Sequence, residues 1–156
     1  MRRTPRTLLA AAAIALTAMA GCGTSSSGIA TGPTTPTAGP VQGAHVRLVS
    51  MTGGGGRVST QATLLDNEEH LQSFTRQFGS EAMKHRVRQA VSQARSTGLI
   101  PYGAVVTLGC DRPPGADVAL DGNGNVVITP HEVASPLPEC LAPVTTVAIA
   151  SVPGSD

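Results

Sequence analysis

The stretch that begins at Asp121 holds the side chains best spaced for chemistry. Asp121, Asn123 and Asn125 stand at positions 1, 3 and 5 of a calcium loop, with Glu132 at position 12. Oxygen ligands at that spacing suit a hard cation. Position 6, where such a loop needs Gly for its sharp turn, is Val126. The β-branched run Val126–Thr129 would carry the chain away from an ion, so the stretch reads as a polar hairpin tip. His131-Glu132-Val133-Ala134-Ser135 opens like a zinc-protease helix but has Ser where the second imidazole must stand, and Pro130 and Pro136 oppose a helix there. His45, His70 and His85 form no ligand spacing. Gly53–Gly56 is followed by Arg57-Val58 rather than the Gly-Lys-Ser/Thr of a phosphate loop, and no Gly-x-Ser-x-Gly elbow occurs. No catalytic residue, metal or cofactor is assigned.

Charge offers a different chemistry. Lys84, His85, Arg86, Arg88 and Arg95 fall on one predicted helix with no acid among them, and Lys84, Arg88 and Arg95 share one side of it. That side is the candidate partner-binding face, for an acidic protein or polymer; a solvated polar face has the same pattern. The chain as a whole has 156 residues, enough for one ordinary domain, and a formal charge of +1. Only 13% of residues are charged and 2% aromatic. Near-neutrality and the lack of stacking side chains exclude a nucleic-acid binder.

The three cysteines divide into one and two. Cys22 ends the segment Met19-Ala20-Gly21-Cys22, which follows Arg2, Arg3 and Arg6 and the uncharged run Leu8–Ala20. Thirteen residues at about 1.5 Å each are too few to span a bilayer core of about 30 Å, so the run reads as a secretory signal. The whole arrangement resembles the signal and lipobox of bacterial envelope lipoproteins, with Met19 where that class usually has Leu. The resemblance covers about the first 22 residues. It implies cleavage before Cys22, a diacylglyceryl thioether on Cys22 and attachment to the outer face of the cell membrane. Two acyl chains suffice for stable anchoring. Cleavage also removes three of the eleven basic residues and none of the ten acids, so bulk charge does not draw the mature chain to anionic lipid.

Cys110 and Cys140 remain. In an exported chain they form an expected disulfide, closing a loop of about 31 residues for roughly 3–4 kcal/mol on the chain-entropy estimate. Metal binding or redox catalysis would call for a closer spacing such as Cys-x-x-Cys.

These readings set the domain plan: 1–21 signal peptide, 22–43 lipidated Cys and tether, 44–153 one folded domain. Sixteen of the 21 residues in 23–43 are Gly, Pro, Ser or Thr and none is charged, too little apolar surface to offset ordering. His45–Met51 alternates as a strand, with Val46, Leu48 or Val49, and Met51 as core residues. A second β-rich run, Arg57–Leu64, follows the glycines and predicts a loose hairpin. Asp66 is expected as an N-cap with Glu69 completing a capping box, and Leu71, Phe74 and Phe78 form one buried stripe. Ser80 caps a second helix, buried through Met83, Val87, Ala90, Val91 and Ala94. Strands are then predicted at Ala104–Cys110, Ala116–Leu120, Val126–Thr129 and Val144–Val152. The order ββ-αα-βββ-β predicts an α+β fold: a mainly antiparallel sheet of four to six strands with two helices on one face.

The expected function is that of an anchored binding module with an envelope protein or glycan as partner and no enzymatic activity. The order strand, Thr52-Gly53-Gly54, strand, acidic-capped helix also resembles small metalloprotease inhibitors of the emfourin type over about twenty residues, without the aromatic that family places after its paired glycines. That resemblance implies an exposed loop, Gly53–Arg57, entering a protease cleft. A hydrolase would need His131 or His85 brought against a Ser and a carboxylate.

Overall fold

A computed structural model describes residues 38–154 of the chain. The signal segment, the lipobox with Cys22 and nearly all of the tether lie outside the described residues. Nine elements follow in order: β1 Gly39–Pro40, β2 His45–Thr52, β3 Thr63–Leu64, α1 Glu68–Thr75, α2 Glu81–Ser96, β4 Ile100–Gly109, β5 Ala116–Leu120, β6 Val126–Pro130 and β7 Val144–Val152. The class is α+β with two helices. The strands form two antiparallel sheets, one of order β2-β7-β4-β3 and one of order β1-β5-β6, in place of the single sheet expected.

The reason lies in the strands that both sheets share as neighbours. In β7, Val147 and Ile149 enter a core under the helices, while Ala148, Ala150 and Val152 enter a second core under the small sheet. In β4, Val105 faces the helices and Ala104 and Val106 face the small sheet. A strand covered on both faces has no polar side to show, so its alternation disappears from the sequence. Edge strand β2 follows the same rule: Val49 and Met51 pack toward the helices, Val46 and Leu48 toward the small sheet. The layers are therefore helices, four-stranded sheet, three-stranded sheet.

The expected glycine hairpin does not form. β2 pairs with β7, and β3 pairs with β4 on the opposite edge. The segment between them crosses the end of the sheet. There Gly54 is buried, with its Cβ position 3.0 Å from Thr145 Cβ. Gly56 has φ +105°, and a Cβ on it would lie 3.0 Å from the Phe78 ring and 3.1 Å from Val105 Cγ2. Glycine is needed there for close approach as well as for its backbone angle. The chain next runs beside β6, where Ala62 N donates to Val126 O and Ile128 N to Thr60 O, before it turns into β3. This segment ties the two sheets together along one edge.

The helices follow their pattern closely. All the apolar side chains expected to face inward here are buried, although α1 ends at Thr75 and Phe78 follows in the turn beyond it, where it meets Phe74 edge-to-face at 5.6 Å. Ser80 caps α2, its Oγ accepting from Met83 N. The cap of α1 is Asn67 rather than Asp66: Asn67 Oδ1 accepts from His70 N, and Asp66 instead contacts the His70 ring at 2.7 Å. Gly39–Pro40, within the segment read as tether, pairs with Leu120 and Ala119 of β5. Sheet structure thus begins a few residues ahead of Ala44. Cys110 and Cys140 are joined, with Cα atoms 5.3 Å apart.

Candidate cleft beside the edge strand

β1 is two residues long and covers only the Leu120 end of β5. Beyond it, Val41 N donates to Val118 O and the chain turns away through Gly43 into β2. The remainder of β5 has no strand on that side. β2 in turn has a paired neighbour only in β7. The two open edges face each other across a cleft of about 890 Å³. Its walls are Val41, Ala44, Val46, Leu48 and Val118, with Pro114, Gly115 and His131 at the far end. The opening follows from the shortness of β1, and its apolar lining is the exposed margin of the core between the sheets.

One polar pair stands on the rim. His131 Nε2 lies 3.0 Å from Asp117 Oδ1, both side chains substantially exposed. His131 N donates to Gly115 O, and a side chain at 115 would strike the imidazole at 2.7 Å. The glycine therefore lets the ring fold down beside β5. A His–Asp pair can orient a proton acceptor, but no Ser or Cys lines the cleft to serve as its nucleophile. His85 is an exposed residue of α2 and does not line it. A recess whose apolar side chains lie between two polar strand edges can serve as a binding site.

The three basic residues of the expected partner face have separate fates. Arg95 donates to Leu65 O at 3.1 and 2.6 Å and to Asn67 O at 2.8 Å. It clasps the last turn of α2 to the chain leading into α1, and its charge serves the fold. Lys84 pairs with Glu81 at 2.6 Å, and its side chain is largely covered. The hydrogen bond and charge of Lys84, helped by Arg88, hold the Glu81 carboxyl below the usual carboxylate range. Arg88 is exposed.

The hairpin tip is self-contained. Asp121 accepts from Asn123 N at 2.8 Å, Asn125 N at 2.9 Å and Asn125 Nδ2 at 3.0 Å. Its oxygens are occupied by the turn, and β6 leads away as Val126–Pro130. In the Gly53–Arg57 loop, Gly53 and Arg57 are exposed while Gly54 is buried, so the loop crosses the sheet instead of projecting. No family model matches the sequence, and no curated protein or solved structure matches it.

The cleft was not visible as a motif because its walls come from residues 40–48, 114–119 and 131. One signal for it was present. His45–Met51 offers apolar side chains to both faces, as the choice between Leu48 and Val49 shows, and a doubly apolar edge strand requires a second layer.

Proposed function

We propose that the chain is a lipid-anchored extracytoplasmic binding module that takes an apolar portion of an envelope protein or glycan into the cleft beside β2. The observation that carries the binding role is the cleft itself: about 890 Å³, walled by Val41, Val46, Leu48 and Val118, with a polar rim. The lipobox around Cys22 supports attachment through a diacylglyceryl group on the outer face of the cell membrane. The Cys110–Cys140 bond is in keeping with an oxidising compartment. Loss of Arg95 and Lys84 to internal pairs moves the proposed contact away from the exposed side of α2.

The test is cross-linked capture from intact cells with the full chain as bait, beside Cys22→Ala and Ala44→Tyr. Ala44 is only half-buried, so the larger ring fills the cleft from its margin. Wild type is expected in the membrane fraction with one dominant partner. Cys22→Ala should leave that fraction. Ala44→Tyr should remain membrane-bound, keep its melting temperature and lose the partner. A partner retained by Ala44→Tyr would remove the cleft reading, and membrane retention of Cys22→Ala would remove the anchor.

A further inference from the structure

A second groove opens on the other side of β2, between that strand and α2. Its volume is about 520 Å³, and Arg47, Arg86 and Arg112 line it together with Ser50 and Gln89. The arginines come from β2, from α2 and from the loop after β4, so the fold, and not local sequence, brings them to one groove. No Asp or Glu lines it. Among the described residues, none of the three makes an ion pair with a carboxylate. Three cations around one recess without a counter-charge repel one another, and an anion placed among them relieves that repulsion.

One of the arginines is also held in place. Arg47 donates through Nη1 to Gln93 Oε1 on α2. Arg112 lies two residues beyond disulfide-bonded Cys110 and next to buried Pro113. A carboxylate offers two acceptor oxygens in one plane. A phosphoryl dianion has three terminal oxygens and accepts from several guanidiniums at once. The groove falls in the size range of small-molecule sites.

We infer that this groove binds the phosphoryl group of a small soluble phosphate ester through Arg47, Arg86 and Arg112. It shares only Leu48 with the lining of the cleft, so the inference stands apart from the partner-binding role.

Titration calorimetry on the purified full chain at low salt tests it, with inorganic phosphate and glycerol 3-phosphate as probes and acetate as the control anion. Phosphatidic acid in phosphatidylcholine vesicles serves as the membrane-borne form of the same group. Both soluble phosphates should bind, with acetate at least tenfold weaker. Arg86→Ala and Arg112→Ala, both at exposed positions, should each weaken binding about tenfold or more with unchanged melting temperature. Arg88→Ala, on the same helix but outside the groove, should change it less than twofold. Absence of binding by both soluble probes overturns the inference. So does a loss in Arg88→Ala equal to that in Arg86→Ala, which would mean diffuse charge only. Binding confined to vesicles overturns the soluble ligand and assigns the groove to a lipid headgroup.

Discussion

The two faces of the four-stranded sheet are built from different materials. The helix-covered face is filled by Leu65, Leu71, Phe74, Phe78, Met83 and Val87, and it takes both phenylalanines of the chain. The face toward the small sheet is filled by Ala104, Ala148, Ala150, Val118, Val126 and Ile128. Helices stand off from a sheet and need long side chains to reach it. On its other face the four-stranded sheet contributes Ala104, Ala148 and Ala150 beside Val106 and Val152, a thinner layer of side chains. The larger of the two openings beside β2 lies at the margin of the thin core, since two-residue β1 cannot seal it there, while the groove on the helix side is smaller. A chain this poor in aromatics places its large side chains where they close a core, and the small-residue side is left with the cleft.

The largest effect should come from opening the thick core. Phe78 is 1% exposed and touches Phe74 edge-to-face. Phe78→Ala should cost about 3–5 kcal/mol, because the crossing glycine segment and α1 rest on the ring and cannot collapse into the void. Chemical denaturation measures it as a fall in midpoint at constant slope. A loss below about 1 kcal/mol would mean that the two faces are equally plastic.

Adding volume to the thin core sharpens the contrast. Ala148 is fully buried at the centre of the sheet, and Ala148→Leu should destabilise by about 1–3 kcal/mol through overpacking. Ala44, on the same face at the cleft margin, has open space beside it, and Ala44→Leu should change stability by no more than about 0.5 kcal/mol. The same denaturation series reads both. Equal costs at the two positions would show that the cleft is closed in solution.

The thick side also has a polar fastening. Arg95→Ala leaves Leu65 O and Asn67 O without their guanidinium donor and should cost about 1–2 kcal/mol, part of the bond being exposed to water. Arg88→Ala, at an exposed position seven residues earlier, should stay within about 0.5 kcal/mol. Two helix arginines that look alike in sequence then separate by what the end of α2 meets.

That separation marks how far the sequence carries. The inward residues of α1 and α2, the Ser80 cap, the spans Ala116–Leu120 and Val144–Val152 and the Cys110–Cys140 pair were all legible, because helix period, turn residues and cysteine count are local signals. The division into two sheets was not. β4 and β7 are buried on both faces, and a run such as Thr145–Ala150 reads the same whether one layer or two covers it. The glycine crossing imitated a hairpin because two β-rich runs around glycines say nothing about which strand each will pair with. The cleft and the arginine groove were out of reach for the same reason: residues 47, 86 and 112 meet only once β2, α2 and the loop after β4 are packed. Conversely, Arg95 looked available because the carbonyls that occupy it lie about thirty residues away.

The smallest expected effect concerns the hairpin that closes the thin side. Asp121 is held below the usual carboxylate range, first by the hydrogen bond from the Asn125 side chain and then by the backbone N–H groups of Asn125, Asn123 and Gly124. A carboxyl whose pKa is lower folded than unfolded contributes its stability fully above the unfolded value. It loses that contribution as the pH falls through the folded value. The window therefore opens near about pH 4, the ordinary value for Asp, and extends downward. Carboxyl carbon shifts followed by NMR should show Asp121 titrating below the ordinary value for Asp. Amide protection at Asn123 and Asn125 should fade over that same window, while the helices, which do not touch this turn, keep theirs. In Asp121→Asn the acid-dependent fading should be absent. An Asp121 that titrates at the ordinary value for Asp would mean that the turn is held by its backbone bonds, Asp121 N to Asn125 O and Gly124 N to Asp121 O, and owes nothing to the carboxylate.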